Sequence, residues 1–141
     1  MRIAAVDMGD VWTGVALSDP SGLVVKPYAT YESAHLLKEL ALLFEKERVT
    51  KVIIGYPQTM RGTESEQTKK IINTTETIKK EFPDITFIML DERNTSKEAI
   101  KFGKKGIKTK TEKLREHAIA AALLLKSYLD YINFEKEEER L

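Results

Sequence analysis

Residues Arg2 to Tyr31 read RIAAVDMGDVWTGVALSDPSGLVVKPYATY. Three extended segments and two turns are legible in that stretch. Ile3-Ala4-Ala5-Val6 is an apolar run that ends on Asp7 and reads as a strand. Gly9 and its neighbours make the first turn, and Thr13 to Ser18 is the second strand. Asp19-Pro20-Ser21-Gly22 is a strong turn signal, because Pro presets φ, Gly supplies a positive φ and Asp bonds its own backbone. Leu23 to Tyr31 is a third strand. Pro27 interrupts it, and a residue that cannot donate to a ladder belongs at a sheet edge. The opening is therefore an antiparallel meander of three strands.

Downstream, the pattern changes to strand–helix alternation. Ser33 stands where it can cap a helix with Leu36, Leu37, Leu40, Leu43 and Phe44 on its apolar face. Lys51 to Tyr56 is a short buried strand. Thr63 with Glu66 fits a capping box for a helix carrying Ile71, Thr75, Ile78 and Phe82 on one side. Ile85 to Leu90 is continuously apolar, the pattern of a strand buried on both faces. Thr95 with Glu98 and Thr109 with Glu112 are two further capping boxes. The second opens a helix along Leu114, Ala118, Ala121, Ala122, Leu125 and Leu129. Gly103 to Lys110 has no core pattern and reads as a mobile loop, and the polar stretch after Ile132 as a fraying tail. The order β-β-β-α-β-α-β-α-α predicts an α/β fold with helices on both faces of a mixed sheet.

With 141 residues, 42% of them hydrophobic, the chain has the length of one domain and enough apolar content for a core. The longest apolar run, Ala118 to Leu125, is eight residues, against about 20 for a membrane span. No membrane helix or signal peptide is expected. The absence of cysteine excludes a disulfide scaffold, a thiolate metal site and a cysteine nucleophile, and agrees with a cytoplasmic protein. The net charge of +1 hides an asymmetry. Lys97 to Arg115 holds eight basic residues against Glu98 and Glu112, a local +6 that leaves −5 on the rest. Such a segment is either a solvated face or a contact for a polyanion.

Functional groups in mixed α/β sheets gather at the carboxyl ends of neighbouring strands. Asp7 ends the first strand and Asp91-Glu92 the last. Taken singly, Asp7 is a turn residue and Glu92 a surface acid or a partner for Arg93. Taken together they form a candidate site for Mg²⁺ or Mn²⁺, which take carboxylate oxygens. Side chains alternate along a strand, so Asp91 and Glu92 cannot both enter it while extended. Gly55-Tyr56-Pro57 followed by Gly62-Thr63-Glu64 is a third strand end. It reads as an ordinary connection or, through helix N-terminal N–H groups, as a phosphate contact.

Six motifs stand in one order: Asp7-Met8-Gly9, Gly14 to Asp19, Gly55-Tyr56-Pro57, Met60 to Glu64, Asp91 to Thr95, and Ala121 to Asp130 ending Ser127-Tyr128-Leu129-Asp130. In this register the chain resembles the bacterial pre-16S rRNA nuclease family, also labelled Holliday junction resolvases, from roughly Arg2 to Asp130. The resemblance implies an RNase H-like fold with a mixed five-stranded sheet, the three-stranded meander plus parallel strands. It implies a nuclease domain over residues 1–132 with a polar tail at 133–141, a cytoplasmic location, and metal-dependent cleavage of structured nucleic acid.

The family's first two acids fall on Asp7 and Glu92. Its third, an Asp early in the last helix, falls on His117. Asp10 is an extra acid and a candidate to compensate. Val11-Trp12 replace a usual basic pair, so phosphate-binding charge is lost. Trp12 either stacks on a base or packs at the hairpin end. Arg61 replaces a usual acid. The implied machinery is Mg²⁺ or Mn²⁺ on Asp7, Glu92 and His117, with His117 as third ligand or as a base. Arg93, Arg61, Lys104, Lys105, Lys108 and Lys110 contact the nucleic acid, giving salt-dependent and largely sequence-independent binding. The substrate is the 5′ end of pre-16S rRNA or a four-way DNA junction, bound by a monomer or homodimer with no membrane partner. Three rivals stay open: a non-catalytic nucleic-acid-binding relative, a sugar-kinase or actin-like ATPase, which would need two such domains, and an interaction domain with no nucleic acid.

Overall fold

In the computed structural model the described residues are 1–56, 66–91 and 109–139. The strands are β1 (Arg2–Asp7), β2 (Trp12–Ser18), β3 (Val25–Glu32), β4 (Val49–Tyr56) and β5 (Thr86–Asp91). They form one sheet in the order β3-β2-β1-β4-β5. β1 pairs antiparallel with β2 and parallel with β4; β2 pairs antiparallel with β3, and β4 parallel with β5. The expected meander and its continuation by parallel strands are both present. Pro27 lies on the edge strand β3, opposite Ala16, where the β2–β3 register shifts. A proline, which has no N–H to give to a ladder, costs least there.

Helices α1 (Leu36–Glu47), α2 (Glu66–Glu81) and α3 (Lys110–Glu139) cover the two faces. Strand alternation sorts the core into two layers. Val6, Val15, Val52 and Ile54 face Leu40, Leu43 and Phe44 of α1 and Ile71 and Ile78 of α2. Ala5, Ala16 and Ile53 face Ala121, Leu124, Leu125, Tyr128 and Leu129 of α3. The α3 layer is lined by small residues, so the helix axis lies close to the strands. At Gly14 the approach is closest, since a Cβ built there would stand 1.8 Å from the carbonyl oxygen of His117. Only glycine fits beneath that turn of helix.

The Thr109 capping box forms as expected. The Glu112 N–H donates to Thr109 Oγ1 at 3.2 Å, and the Thr109 N–H to Glu112 Oε2 at 3.3 Å. Four expectations need correction. Ser33 does not cap α1, which follows a 3₁₀ turn at Ser33–His35; its hydroxyl donates instead to the Gly9 carbonyl at 2.6 Å, a partner supplied by tertiary packing. β5 is not buried on both faces. It is the outer strand beyond β4 among the described residues, and its side chains are half-buried or exposed. Lys110 is the first residue of α3 rather than part of a loop. The helix also continues past Ile132 to Glu139, with no break where the tail was expected. Its Glu and Lys residues are good helix formers that need no burial to extend an existing helix. Thr63, Thr95, Glu98 and positions 103–108 lie outside the described residues.

Candidate nucleic-acid-cleavage site

One row of backbone pairs crosses the whole sheet: Thr30, Gly14, Asp7, Gly55, Leu90. Asp7 sits at its centre, the last residue of β1, held by ladder neighbours on both sides. Alternation from Ile3 and Ala5 puts its side chain on the α3 face. Both of its row neighbours are glycine, so neither ladder partner places a side chain beside the carboxylate. Glycines at 14 and 55 are the signal that reading the sequence missed. Individually they look like strand-weakening residues. Only the register shows that they flank the same acid.

The first turns of α3 run along this row. The Thr30 hydroxyl donates to the Leu114 carbonyl at 2.5 Å, fixing the helix over β3. One turn on, the His117 carbonyl rests on Gly14. His117, half-buried, therefore belongs to the turn of helix that lies over the immediate ladder partner of Asp7. Adjacent strands are about 4.8 Å apart, so the backbones of the two residues are close neighbours.

The remaining candidates separate into two groups. Glu92, Arg93, Arg61, Lys104, Lys105 and Lys108 lie outside the described residues, and Lys110 is exposed at the start of α3. Among the described residues no three His, Asp or Glu side chains are placed to share one ion, so a three-ligand set here would need a residue from outside them, as Glu92 is. Asp10 is engaged on the other side of the sheet. Its Oδ1 takes a hydrogen bond from Lys70 Nζ at 3.2 Å, an ion pair to α2 rather than to α3. Trp12, half-buried, opens β2 opposite Glu32. Its carbonyl would stand 2.4 Å from a Cβ at Gly9, so the turn after Asp7 closes tightly enough to require glycine.

That turn is pinned from a distance. The Ser33 N–H donates to the Val11 carbonyl at 2.8 Å, and the Ser33 hydroxyl to the Gly9 carbonyl. Thr13 Oγ1 and Ser33 Oγ are 2.8 Å apart. Since the Ser33 proton is committed to Gly9, the fully buried Thr13 is the donor of that bond. Ser33 and Thr13 are thus positioning residues for the segment that follows Asp7.

A family model described as RuvX, Holliday junction resolvase, matches residues 1–131. A protein of Rubrobacter xylanophilus named "Putative pre-16S rRNA nuclease" is 33% identical over 129 residues, which is 92% of each chain. A Chlorobium chlorochromatii protein of the same name is 35% identical over 135 residues, 92% of this chain and 94% of its own. Among solved structures, Thermus thermophilus RuvC superposes with a TM-score of 0.58 at 13% identity, covering 93% of this chain and 96% of that one. A structure of the same protein in complex with a Holliday junction substrate gives the same values. At that identity the likeness speaks for the fold, and the fold is RNase H-like.

Proposed function

The chain belongs to the RuvX family of Holliday junction resolvases, and from that premise we propose that it is a metal-dependent nuclease of structured nucleic acid, acting in the cytoplasm on the 5′ end of pre-16S rRNA. The observation that carries the reading is the row Thr30-Gly14-Asp7-Gly55-Leu90, with the His117 turn of α3 seated on it. It sets a carboxylate at a strand end between two glycines and lays the turn of helix that carries His117 beside it. The relatives named for this substrate match over nearly their whole length.

The donor chemistry fits a divalent cation. Asp7 and Glu92 offer hard carboxylate oxygens, and His117 offers a nitrogen that Mn²⁺ accepts more readily than Mg²⁺ does. Leu90 of β5 is level with Asp7, and Glu92 follows it by two residues in the sequence. An ion held by these three supplies Lewis-acid polarisation of the phosphate. The chain's own contribution is positioning. Asp7 is fixed by two ladders, and Ser33 and Thr13 hold the turn behind it. His117 is the third ligand or takes the proton of the attacking water. Arg93, Arg61 and the lysines at 104, 105, 108 and 110 neutralise substrate phosphates without reading sequence.

A second reading, resolution of four-way DNA junctions, has its own support in the family description and in the fold shared with junction-bound RuvC. One experiment tests both. Precursor-rRNA and junction substrates are incubated side by side with Mg²⁺ or Mn²⁺, with wild type and Asp7→Asn. Cleavage by wild type that is lost in Asp7→Asn, with binding retained, is the expected result, and the preferred substrate decides between the readings. Equal cleavage by Asp7→Asn would remove the site. Tight binding with no cleavage under any condition would make the protein a non-catalytic relative.

A further inference from the structure

The turn that follows Asp7 has a second surface. On the α1/α2 side of the sheet it roofs a cavity of about 280 Å³. The floor is apolar and buried, made by Met8, Leu36 and Ile71. Asp10 and Lys70 stand at the mouth, joined by their 3.2 Å ion pair. Their side chains are 72% and 67% exposed, so the pair is held weakly and yields readily to a competing partner. The wall at Thr13 and Ser33 is already fixed by its hydrogen bonds to the Gly9 carbonyl and to each other. Thr13 and Ser33 also hold the turn behind Asp7, whereas Met8, Leu36, Ile71, Asp10 and Lys70 have no part in the site proposed on the α3 face.

We propose that this cavity takes one unpaired nucleobase of the substrate strand. The identity of the ligand rests on the nuclease reading; the cavity itself does not. Its volume lies just under the usual range for small-molecule sites of about 300–1,000 Å³, suiting a single heterocycle rather than a dinucleotide. An apolar floor receives the ring faces. An ammonium donor and a carboxylate acceptor side by side at the mouth match the edge of any common base, each of which presents a donor beside an acceptor. The pocket therefore holds a base without choosing among them. Met8, Gly9 and Asp10 follow Asp7 directly in the chain, so the captured base belongs to the strand whose phosphate is engaged at Asp7. Pulling that base out of its stack orients the strand and favours substrates with unpaired nucleotides, the common feature of a precursor end and a junction.

The test measures binding without divalent ions, so that cleavage does not enter. The probe is a fluorescein-labelled RNA hairpin with a single-stranded 5′ extension, read by anisotropy. One abasic nucleotide is moved along the extension. In wild type, one position weakens binding on the order of tenfold while its neighbours do not. Ala34→Trp and Gln67→Trp each bring an indole into the cavity from an exposed rim position. In both, the intact probe binds as weakly as the abasic one does to wild type, and the positional penalty disappears. Thermal melts matching wild type establish that the variants are folded, and the two positions lie on different helical segments, so either serves alone. The proposal is overturned by a scan with no distinct position, by a penalty that persists in the folded variants, or by failure of wild type to bind the hairpin. A protein that cleaves without any abasic penalty refutes the pocket and keeps the nuclease; one with the penalty and no cleavage does the reverse.

Discussion

Replacing Gly14 by Ala adds one methyl group and should cost more than most core truncations. The new Cβ would stand 1.8 Å from the His117 carbonyl oxygen, 2.1 Å from its carbon and 2.6 Å from the Ala118 nitrogen. All three are backbone atoms of α3, so no side chain can rotate away. Restoring an ordinary contact of 3.4 Å means moving the helix off β2 by about 1.6 Å. Ala118, Ala121 and Leu125, all buried, ride on the same helix and lose contact together. Overpacking a core typically costs about 1–3 kcal/mol. Backbone against backbone belongs at the upper end, so about 3 kcal/mol is expected, or a fall in Tm of roughly 12 °C for a chain of this size. Gly22→Ala is the control. Its φ of 75° strains any side chain, but nothing lies within 4 Å, so the cost is only about 1–2 kcal/mol. Calorimetric melts of both variants give the comparison. Cleavage assayed well below the Gly14→Ala transition adds the functional half: activity should already be lost, because the His117 turn has left its place beside Asp7. If Gly14→Ala melts no lower than Gly22→Ala, the seating of α3 on the Asp7 row is wrong.

Ser33→Ala leaves the Gly9 carbonyl and the buried Thr13 hydroxyl without their partner, at a cost of about 1–3 kcal/mol by denaturant titration; a fall in kcat at temperatures where the variant is fully folded separates positioning of Asp7 from stability alone. Asp19→Asn tests the meander turn. The Ser21 hydroxyl, then the Val24 and Leu23 N–H groups, hold the Asp19 carboxyl well below its ordinary value, so its contribution is full above about pH 4 and drains as pH falls through the range beneath. The acid limb of Tm against pH should flatten in Asp19→Asn, and an unchanged limb would mean the exposed turn does not feel the charge. His117→Asp should shift metal preference from Mn²⁺ towards Mg²⁺ by replacing an imidazole with an oxygen donor; titrating cleavage against each metal reads the ratio directly, and an unmoved ratio would take His117 out of the ligand set.

The meander was legible because its signals are local. Asp19-Pro20-Ser21-Gly22 carries its own turn chemistry, with Gly22 at positive φ and Asp19 bonded to Leu23 and Val24. Strand order is not local, and β5 shows the consequence. An unbroken apolar run fits burial on two faces, but nothing in residues 85–90 says which strands lie beside them. Ser33 fails as a cap for a related reason. A hydroxyl before a helical pattern is normally taken by the helix's own N–H groups, whereas here a carbonyl 24 residues upstream competes and wins. The small residues Ala5, Gly14 and Ala16 read only as members of their strands. Their meaning appears only with α3 lying on them.

The candidate site divides the same way. The strand-end acids were proposed from their position, and His117 from the family resemblance carried along the last helix. What joins His117 to Asp7 is a residue with no chemistry of its own, Gly14, whose missing side chain admits the helix. The structure also removes a redundancy that the sequence left open. Asp10, three residues from Asp7, looked able to stand in for the absent third acid. Its carboxylate is instead engaged by Lys70 of α2 at 3.2 Å, on the side of the sheet away from α3. No other acid in the first turn after Asp7 remains to deputise. Among the described residues α3 is then the element placed to add a group beside Asp7, and His117 is the residue whose backbone already lies against the Asp7 row. Asp10→Asn should therefore leave cleavage and metal preference unchanged while His117→Ala lowers cleavage with either metal. The opposite pattern would show that the ion pair to Lys70 opens and that Asp10, not His117, completes the site.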